Sequence, residues 1–149
     1  CLLADPYLFG GGAMISENGD FLNVHQDFNW HFQLQLHRRV NALLYLTPDW
    51  KEEYGGNLEL WDDEKKVKEV VPHFNRLIIF ATPGANHGQP QPMNVPEHIK
   101  RRVFSAFYYT SSAGWSKLKV IREHPSYSTM NMHISVHFQM HGWHILRIM

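Results

Sequence analysis

The stretch R-R-V-F-S-A-F-Y-Y-T, residues 101–110, decides the fold class. Arg101, Val103, Ser105 and Phe107 share one parity, and Arg102, Phe104, Ala106 and Tyr108 share the other. An extended chain sets the two groups on opposite faces of a sheet. Working outward, short runs of the same kind predict strands at 13–16, 21–25, 39–46, 57–61, 68–71 and 76–81, with this one at 102–109. Between them stand E-N-G-D (17–20), T-P-D-W-K (47–51), Y-G-G-N (54–57), D-D-E-K-K (62–66), T-P-G-A-N (82–86) and Q-P-Q-P-M-N-V-P (89–96). These residues make turns through special backbone angles or side-chain caps. Many short strands at near-regular spacing predict an antiparallel sandwich or barrel. The charged run 62–66 reads as a solvated hairpin end.

The chain has 149 residues, 44% hydrophobic and 13% aromatic, enough for one buried core. Lys+Arg and Asp+Glu both number 14, so no overall field draws in nucleic acid or an anionic membrane, and any partner must be recognised locally. The single cysteine, Cys1, rules out an internal disulfide framework and a cysteine-based zinc site. No apolar run approaches bilayer length, and the opening C-L-L-A-D-P lacks the regions of a signal peptide, so a cytoplasmic location is the expectation. A start at cysteine reads as a chain truncated at its N-terminus.

N-V-H-Q-D-F-N-W, residues 23–30, holds the first chemical signal. His25 and Asp27 stand two apart, so on a strand they project from one face and can present an imidazole and a carboxylate to one ion. A third ligand is needed. His31 and His37 read as surface or loop positions. His87 is the better choice, because it follows an apolar strand and the turn T-P-G-A-N and has small neighbours that admit an ion. Two histidines and one carboxylate leave positions open on non-haem iron(II), whereas zinc on the same ligands would activate water, so the ligands alone do not fix the reaction. A cationic anchor for a dicarboxylate separates the two. Arg101 supplies it if its parity set faces inward, since a buried guanidinium without an anion is costly. A carboxylate removes that cost through a charge-assisted pair. A solvated start to the strand is the competing reading.

H-x-D at 25–27, R-R-V-N-A-L-L-Y-L-T-P-D-W, G-G-N-L-E-L-W-D, F-N-R-L-I-I-F, H-G at 87–88 and R-R-V-F-S-A-F-Y-Y-T occur in one order from about Asp5 to Thr110. Together they resemble the prolyl 4-hydroxylase-like branch of the iron(II)/2-oxoglutarate dioxygenases. The resemblance implies a double-stranded β-helix, or jelly roll of cupin-like form, with few or no helices in this chain. It implies Fe(II), 2-oxoglutarate as co-substrate and O2, and admits ascorbate as an accessory. Carried onto this sequence, His25, Asp27 and His87 match the iron ligands, Arg101 matches the anchor of the distal carboxylate, and Tyr45 falls where relatives place a hydroxyl on that carboxylate. Asn41, Leu43 and Tyr45 share a face, as a pocket-lining strand should, and Ser105 shares the face of Arg101, so Asn41 and Ser105 join the co-substrate set. Phe28, Asn29, Trp30 and His31, with Trp61, are expected as walls of the substrate entrance.

The implied reaction hydroxylates an unactivated C–H bond, a peptidyl proline being the branch's substrate, with succinate and carbon dioxide as co-products. The substrate is a peptide, a protein or a small molecule. A cupin-like metal hydrolase or isomerase and a non-catalytic jelly-roll binding module are the alternatives. Residues 1–112 form the expected domain and 113–149 an extension. In that extension S-S-A-G-W-S leads to M-N-M-H-I-S-V-H-F-Q-M-H, whose alternation from Met132 to His141 predicts an added strand with one wet face.

Overall fold

A computed structural model describes residues 1–111 and the backbone of two further strands, Ile134–Phe138 and His144–Ile148. In chain order the strands are β1 (Leu3–Ala4), β2 (Gly12–Ser16), β3 (Leu22–His25), β4 (Trp30–His31), β5 (Leu36–Tyr45), β6 (Leu58–Asp62), β7 (Lys65–Val70), β8 (Leu77–Ala81), β9 (Asn86–Gln89), β10 (Arg101–Thr110), β11 (Ile134–Phe138) and β12 (His144–Ile148). Among the described residues the helical content is one 3-10 turn, Glu52–Tyr54. The larger sheet runs β1-β10-β5-β8-β12-β11, with β2 also on β10 and β4 on β5. The smaller runs β3-β9-β6-β7. All pairings are antiparallel, and the two sheets face each other as a jelly roll.

The core lies between the sheets. Leu43, Tyr45, Ile78, Phe80 and Val103 from the larger meet Leu58, Leu60 and Val70 from the smaller. β10 keeps the expected parity: Val103, Ser105 and Phe107 are buried, whereas Arg102 and Phe104 are exposed. Its register sets Val103 opposite Tyr45, Ser105 opposite Leu43 and Phe107 opposite Asn41, so the face shared by Asn41, Leu43 and Tyr45 also points inward. A second cluster, Trp50, Met93 and Val95 with Tyr54, packs the proline-rich loop against the 50–54 segment.

The short strands β1 and β4 lie outside the expected set, and the larger differences elsewhere have physical reasons. β5 begins at Leu36 because β4 pairs with it there, Trp30 opposite His37. In the charged run only the turn around Asp63 is a hairpin end, and Lys65–Lys68 belong to β7. β7 is an edge strand exposed from Lys65 to Glu69, with only Val70 buried, which explains its lysines and its lack of apolar alternation. β9 replaces an expected loop: N-H-G-Q has no strand pattern of its own and is extended because β3 and β6 pair with it on both sides. Of the extension, S-S-A-G-W-S from Ser112 onward and the ends of the alternating tract lie outside the described residues. Its middle forms β11, antiparallel to β12, which pairs with β8.

Candidate active site

The smaller sheet brings three donors together at one end. His25 closes β3, Asp27 follows two residues later, and His87 lies on β9 directly opposite His25. Gly88 permits this approach. A Cβ on Gly88 would meet the carbonyl oxygens of Asn23 and Leu22 at 2.8 Å, so only glycine lets β3 lie this close to β9. One ligand atom from each of His25, Asp27 and His87 lies within 4.8 Å of the others. His25 Nε2 is 3.7 Å from Asp27 Oδ1, and His87 Nε2 is 3.7 Å from Asp27 Oδ2.

Each histidine is held by its other ring nitrogen. His25 Nδ1 donates to the Asn23 carbonyl at 2.9 Å and His87 Nδ1 to the Ala85 carbonyl at 3.0 Å. These bonds put the proton on Nδ1 and turn the Nε2 lone pair toward Asp27, the outer-partner arrangement common to metal-bound histidines. Phe80 meets His87 edge-on at 4.8 Å and helps bury it. Burial would raise the Asp27 carboxyl, but the adjacent His25 ring, when protonated, and the charges of His87 and Arg38 outweigh it and hold its pKa below the ordinary value. Asp27 raises His25, whereas burial lowers His87.

The larger sheet supplies a second group. Arg101 turns its guanidinium carbon to 5.2 Å from the Tyr45 ring and donates from Nε to the Gly56 carbonyl at 3.1 Å. Gly56, at φ +65°, has no room for a side chain: a Cβ would meet Met93 Sδ at 2.9 Å and Arg101 Cδ at 3.2 Å. Among the described residues no carboxylate pairs with Arg101, and burial pulls its pKa down. The Tyr45 hydroxyl is buried without a hydrogen-bond partner, and burial raises its pKa against the opposing charge of Arg101. Arg101 is half-buried, and a cation beside a hydroxyl with spare hydrogen-bonding capacity is suited to pair with an anion.

Asn41 and Ser105 stand nearer to Asp27. Asn41 Nδ2 donates to Asp27 Oδ2 at 3.2 Å, and Ser105 Oγ donates to Asn41 Oδ1 at 3.3 Å. Phe28 and Asn29 are exposed directly beyond Asp27, and Trp30 packs edge-on against His37 at 4.8 Å. Trp61 is not brought to the donors: Leu60 sits opposite His87, so its neighbour takes the other face of the strand, where the indole N–H donates to Glu59 at 3.0 Å. His31 corrects the surface and entrance-wall expectations. It is 1% exposed, with Nε2 3.3 Å from Asp5 Oδ2 and its ring between Phe9 and Tyr109. Asp5 stands beside the ring, His31 Nδ1 accepts from the Leu34 N–H at 3.3 Å, and nothing near His31 in sequence announces its burial.

Sequence reasoning also passed over Arg38. Its NH1 is 3.9 Å from Asp27 Oδ1, its guanidinium lies 3.7 Å over the Phe107 ring, and Nε donates to the Tyr109 hydroxyl at 3.3 Å. Strict alternation from Asn41 would aim Arg39 inward instead. The register shift at Tyr108/Tyr109 skips one residue and exchanges the two arginines.

Known proteins are similar to parts of this chain. Prolyl 3-hydroxylase OGFOD1 of Mus musculus is 30% identical over 81 residues, covering 50% of this chain and 15% of its own length. A crystal structure of prolyl 4-hydroxylases from Phytophthora capsici superposes at TM-score 0.50 and 25% identity, covering 65% of this chain and 30% of that one. A prolyl-4-hydroxylase of Pseudomonas putida gives TM-score 0.47 at 22% identity, over 68% of this chain and 55% of that one. The chain therefore corresponds to a part of each of these relatives. The family model described as the 2OG-Fe(II) oxygenase superfamily matches residues 11–115, a span that holds all three donors, Tyr45 and Arg101. On that match the chain belongs to the 2OG-Fe(II) oxygenase superfamily.

Proposed function

We propose that this chain carries the catalytic site of an iron(II)- and 2-oxoglutarate-dependent oxygenase that hydroxylates a prolyl residue in a peptide or protein. The carrying observation is the pairing of two sites: three metal donors within 4.8 Å of one another, and a half-buried Arg101 with no carboxylate partner among the described residues, beside the buried Tyr45 hydroxyl. The donor set fits a divalent ion, since both imidazoles have their Nδ1 protons committed and Nε2 free. When bound there, iron(II) with 2-oxoglutarate and dioxygen would supply the oxidising chemistry, with succinate and carbon dioxide as co-products.

The protein's part is to hold and to exclude. His25, Asp27 and His87 would hold the ion. Arg101 and Tyr45 would take the distal carboxylate of 2-oxoglutarate through charge-assisted hydrogen bonds. A site that only activates water has no use for that anchor, which is what favours the oxygenase over a hydrolase on the same ligands. Leu60 and Phe80, both fully buried near His87, keep bulk water from that side. Phe28 and Phe32, 76% and 78% exposed on the segment after Asp27, offer apolar surface suited to a proline ring. The names of the relatives point to the same substrate class.

The test is succinate formation from 2-oxoglutarate with added Fe²⁺, in air and under anaerobic conditions, with and without a proline-rich peptide. Oxygen-dependent succinate that rises with peptide is the expected result. Absence of oxygen-dependent succinate, together with a thermal midpoint that 2-oxoglutarate does not move, would sink the proposal.

A further inference from the structure

We infer that Asn41, steadied by Ser105, is a positioning residue for the carboxylate ligand Asp27 and not a contact of the co-substrate. The inference rests on the metal-site reading above but does not need the oxygen-dependent reaction. Asn41 and Ser105 are 3% and 1% exposed, so their polar atoms must be satisfied by protein or by what the site binds. They satisfy each other and Asp27: Ser105 Oγ donates to Asn41 Oδ1 at 3.3 Å, and Asn41 Nδ2 donates to Asp27 Oδ2 at 3.2 Å. The amide has one tolerable orientation. Reversed, its carbonyl oxygen would face a carboxylate oxygen at that same short distance, a repulsion between two acceptors.

The three ligands then follow one plan. His25 and His87 each have a backbone carbonyl fixing the ring from behind, at 2.9 and 3.0 Å. Asp27 lies past the end of β3, where no strand ladder constrains it, and Asn41 supplies the fixing partner from the opposite sheet. A carboxylate free to turn would spend part of its time aimed away from the ion, so holding it adds to metal affinity. Tyr45 and Arg101 differ from Asn41 in keeping unspent hydrogen-bonding capacity, which an incoming anion needs. Asn41 has its carbonyl and one amide proton already committed.

The experiment measures three quantities on Asn41→Ala, Ser105→Ala, Ser105→Thr and the double alanine variant. They are Mn²⁺ affinity, 2-oxoglutarate affinity at saturating Mn²⁺, and the thermal midpoint of the metal-free protein. Asn41→Ala should weaken Mn²⁺ binding by about 10- to 100-fold, the usual effect of losing an outer partner. Ser105→Ala should weaken it less, and the double variant should match Asn41→Ala alone, because Ser105 acts only through Asn41. Ser105→Thr keeps the hydroxyl and should keep Mn²⁺ affinity. At saturating Mn²⁺ the affinity for 2-oxoglutarate should stay within about threefold, well under 1 kcal/mol.

Unchanged Mn²⁺ affinity in Asn41→Ala, loss of 2-oxoglutarate affinity at saturating Mn²⁺, or additive effects in the double variant each overturn the inference. If Asn41→Ala does not fold, the serine pair decides: affinity lost in Ser105→Ala and kept in Ser105→Thr supports it, and equal affinity in both overturns it. Wild-type protein that binds Mn²⁺ but never turns over 2-oxoglutarate would defeat the proposed reaction while leaving this inference standing.

Discussion

Replacing Arg101 by methionine removes a charge while keeping much of the bulk of the side chain, and the structure sets what should follow. Without an anion, the guanidinium is a half-buried cation with no carboxylate partner among the described residues, held by one hydrogen bond to Gly56 and by Tyr45. Losing that bond costs about 1 kcal/mol, and ending the burial of an uncompensated charge returns a comparable amount. Stability of the ligand-free protein should therefore change by no more than about 1 kcal/mol. With 2-oxoglutarate the balance is different. Truncating one partner of a buried charge pair costs roughly 2–5 kcal/mol, and the lower end applies because Arg101 keeps some solvent contact and Tyr45 remains. At about 1.4 kcal/mol per tenfold, affinity should fall roughly 30- to 100-fold.

The assay is thermal unfolding of Mn²⁺-loaded protein against 2-oxoglutarate concentration. At a concentration 100 times its dissociation constant, a ligand stabilises the native state by about 2.7 kcal/mol. For a chain of this size that is a rise of roughly 10 °C in wild type. At the same concentration the variant should rise only about 2–3 °C, since the ligand then stands near its weakened dissociation constant. The Mn²⁺ affinity itself should not change. A variant that keeps the full rise, or that loses metal and 2-oxoglutarate together, would refute the reasoning and make Arg101 a structural residue.

The pH dependence of metal binding should follow His25. Its pKa in the metal-free protein lies above the ordinary 6.5 because Asp27 beside it favours the protonated ring, so its proton is the harder one to displace, whereas buried His87 is neutral more readily. Mn²⁺ affinity should decline as pH falls through a range beginning above 6.5, and an affinity flat down to that value would contradict it. The same shifts bear on metal-free stability with opposite signs: His25 contributes below its unfolded pKa and loses that contribution as pH rises, and His87 contributes above its unfolded pKa and loses it as pH falls. Gly88→Ala should cost about 1–3 kcal/mol in chemical denaturation, because the new methyl meets two backbone oxygens that cannot move independently. By forcing β3 off β9 it should also weaken Mn²⁺ binding at least about tenfold. Stability lost with metal affinity intact would show that the spacing of β3 and β9 does not set the site.

Much of this was legible before any coordinates, for reasons that can be named. β10 and β5 announce themselves because each has a dry inner face, and the parity that puts Val103 inward also carries Arg101 and Ser105 to the site. The H-x-D pair needs only a strand end to work. What was hidden depends on partners distant in sequence. N-H-G-Q becomes β9 through pairing on both sides, His31 is buried because Asp5 comes to meet it, and Trp61 turns outward with the face of β6 that lies opposite Leu60. Arg38 was out of reach for another reason: a single skipped residue reverses a parity argument, and alternation carries no mark of where a bulge will fall.

One feature of the sheets has a mechanical side. All three metal donors belong to the smaller sheet or its loop, and Arg101 and Tyr45 belong to the larger. A bound ion therefore ties β3 to β9 within one sheet, whereas a dicarboxylate reaching from the ion to Arg101 spans the gap and staples one sheet to the other. Amide hydrogen exchange should separate the two events. Metal alone should slow exchange around β3 and β9, and the co-substrate should extend that protection across β5 and β10, so that the jelly roll stiffens as a whole only once the ligand that is consumed has bound.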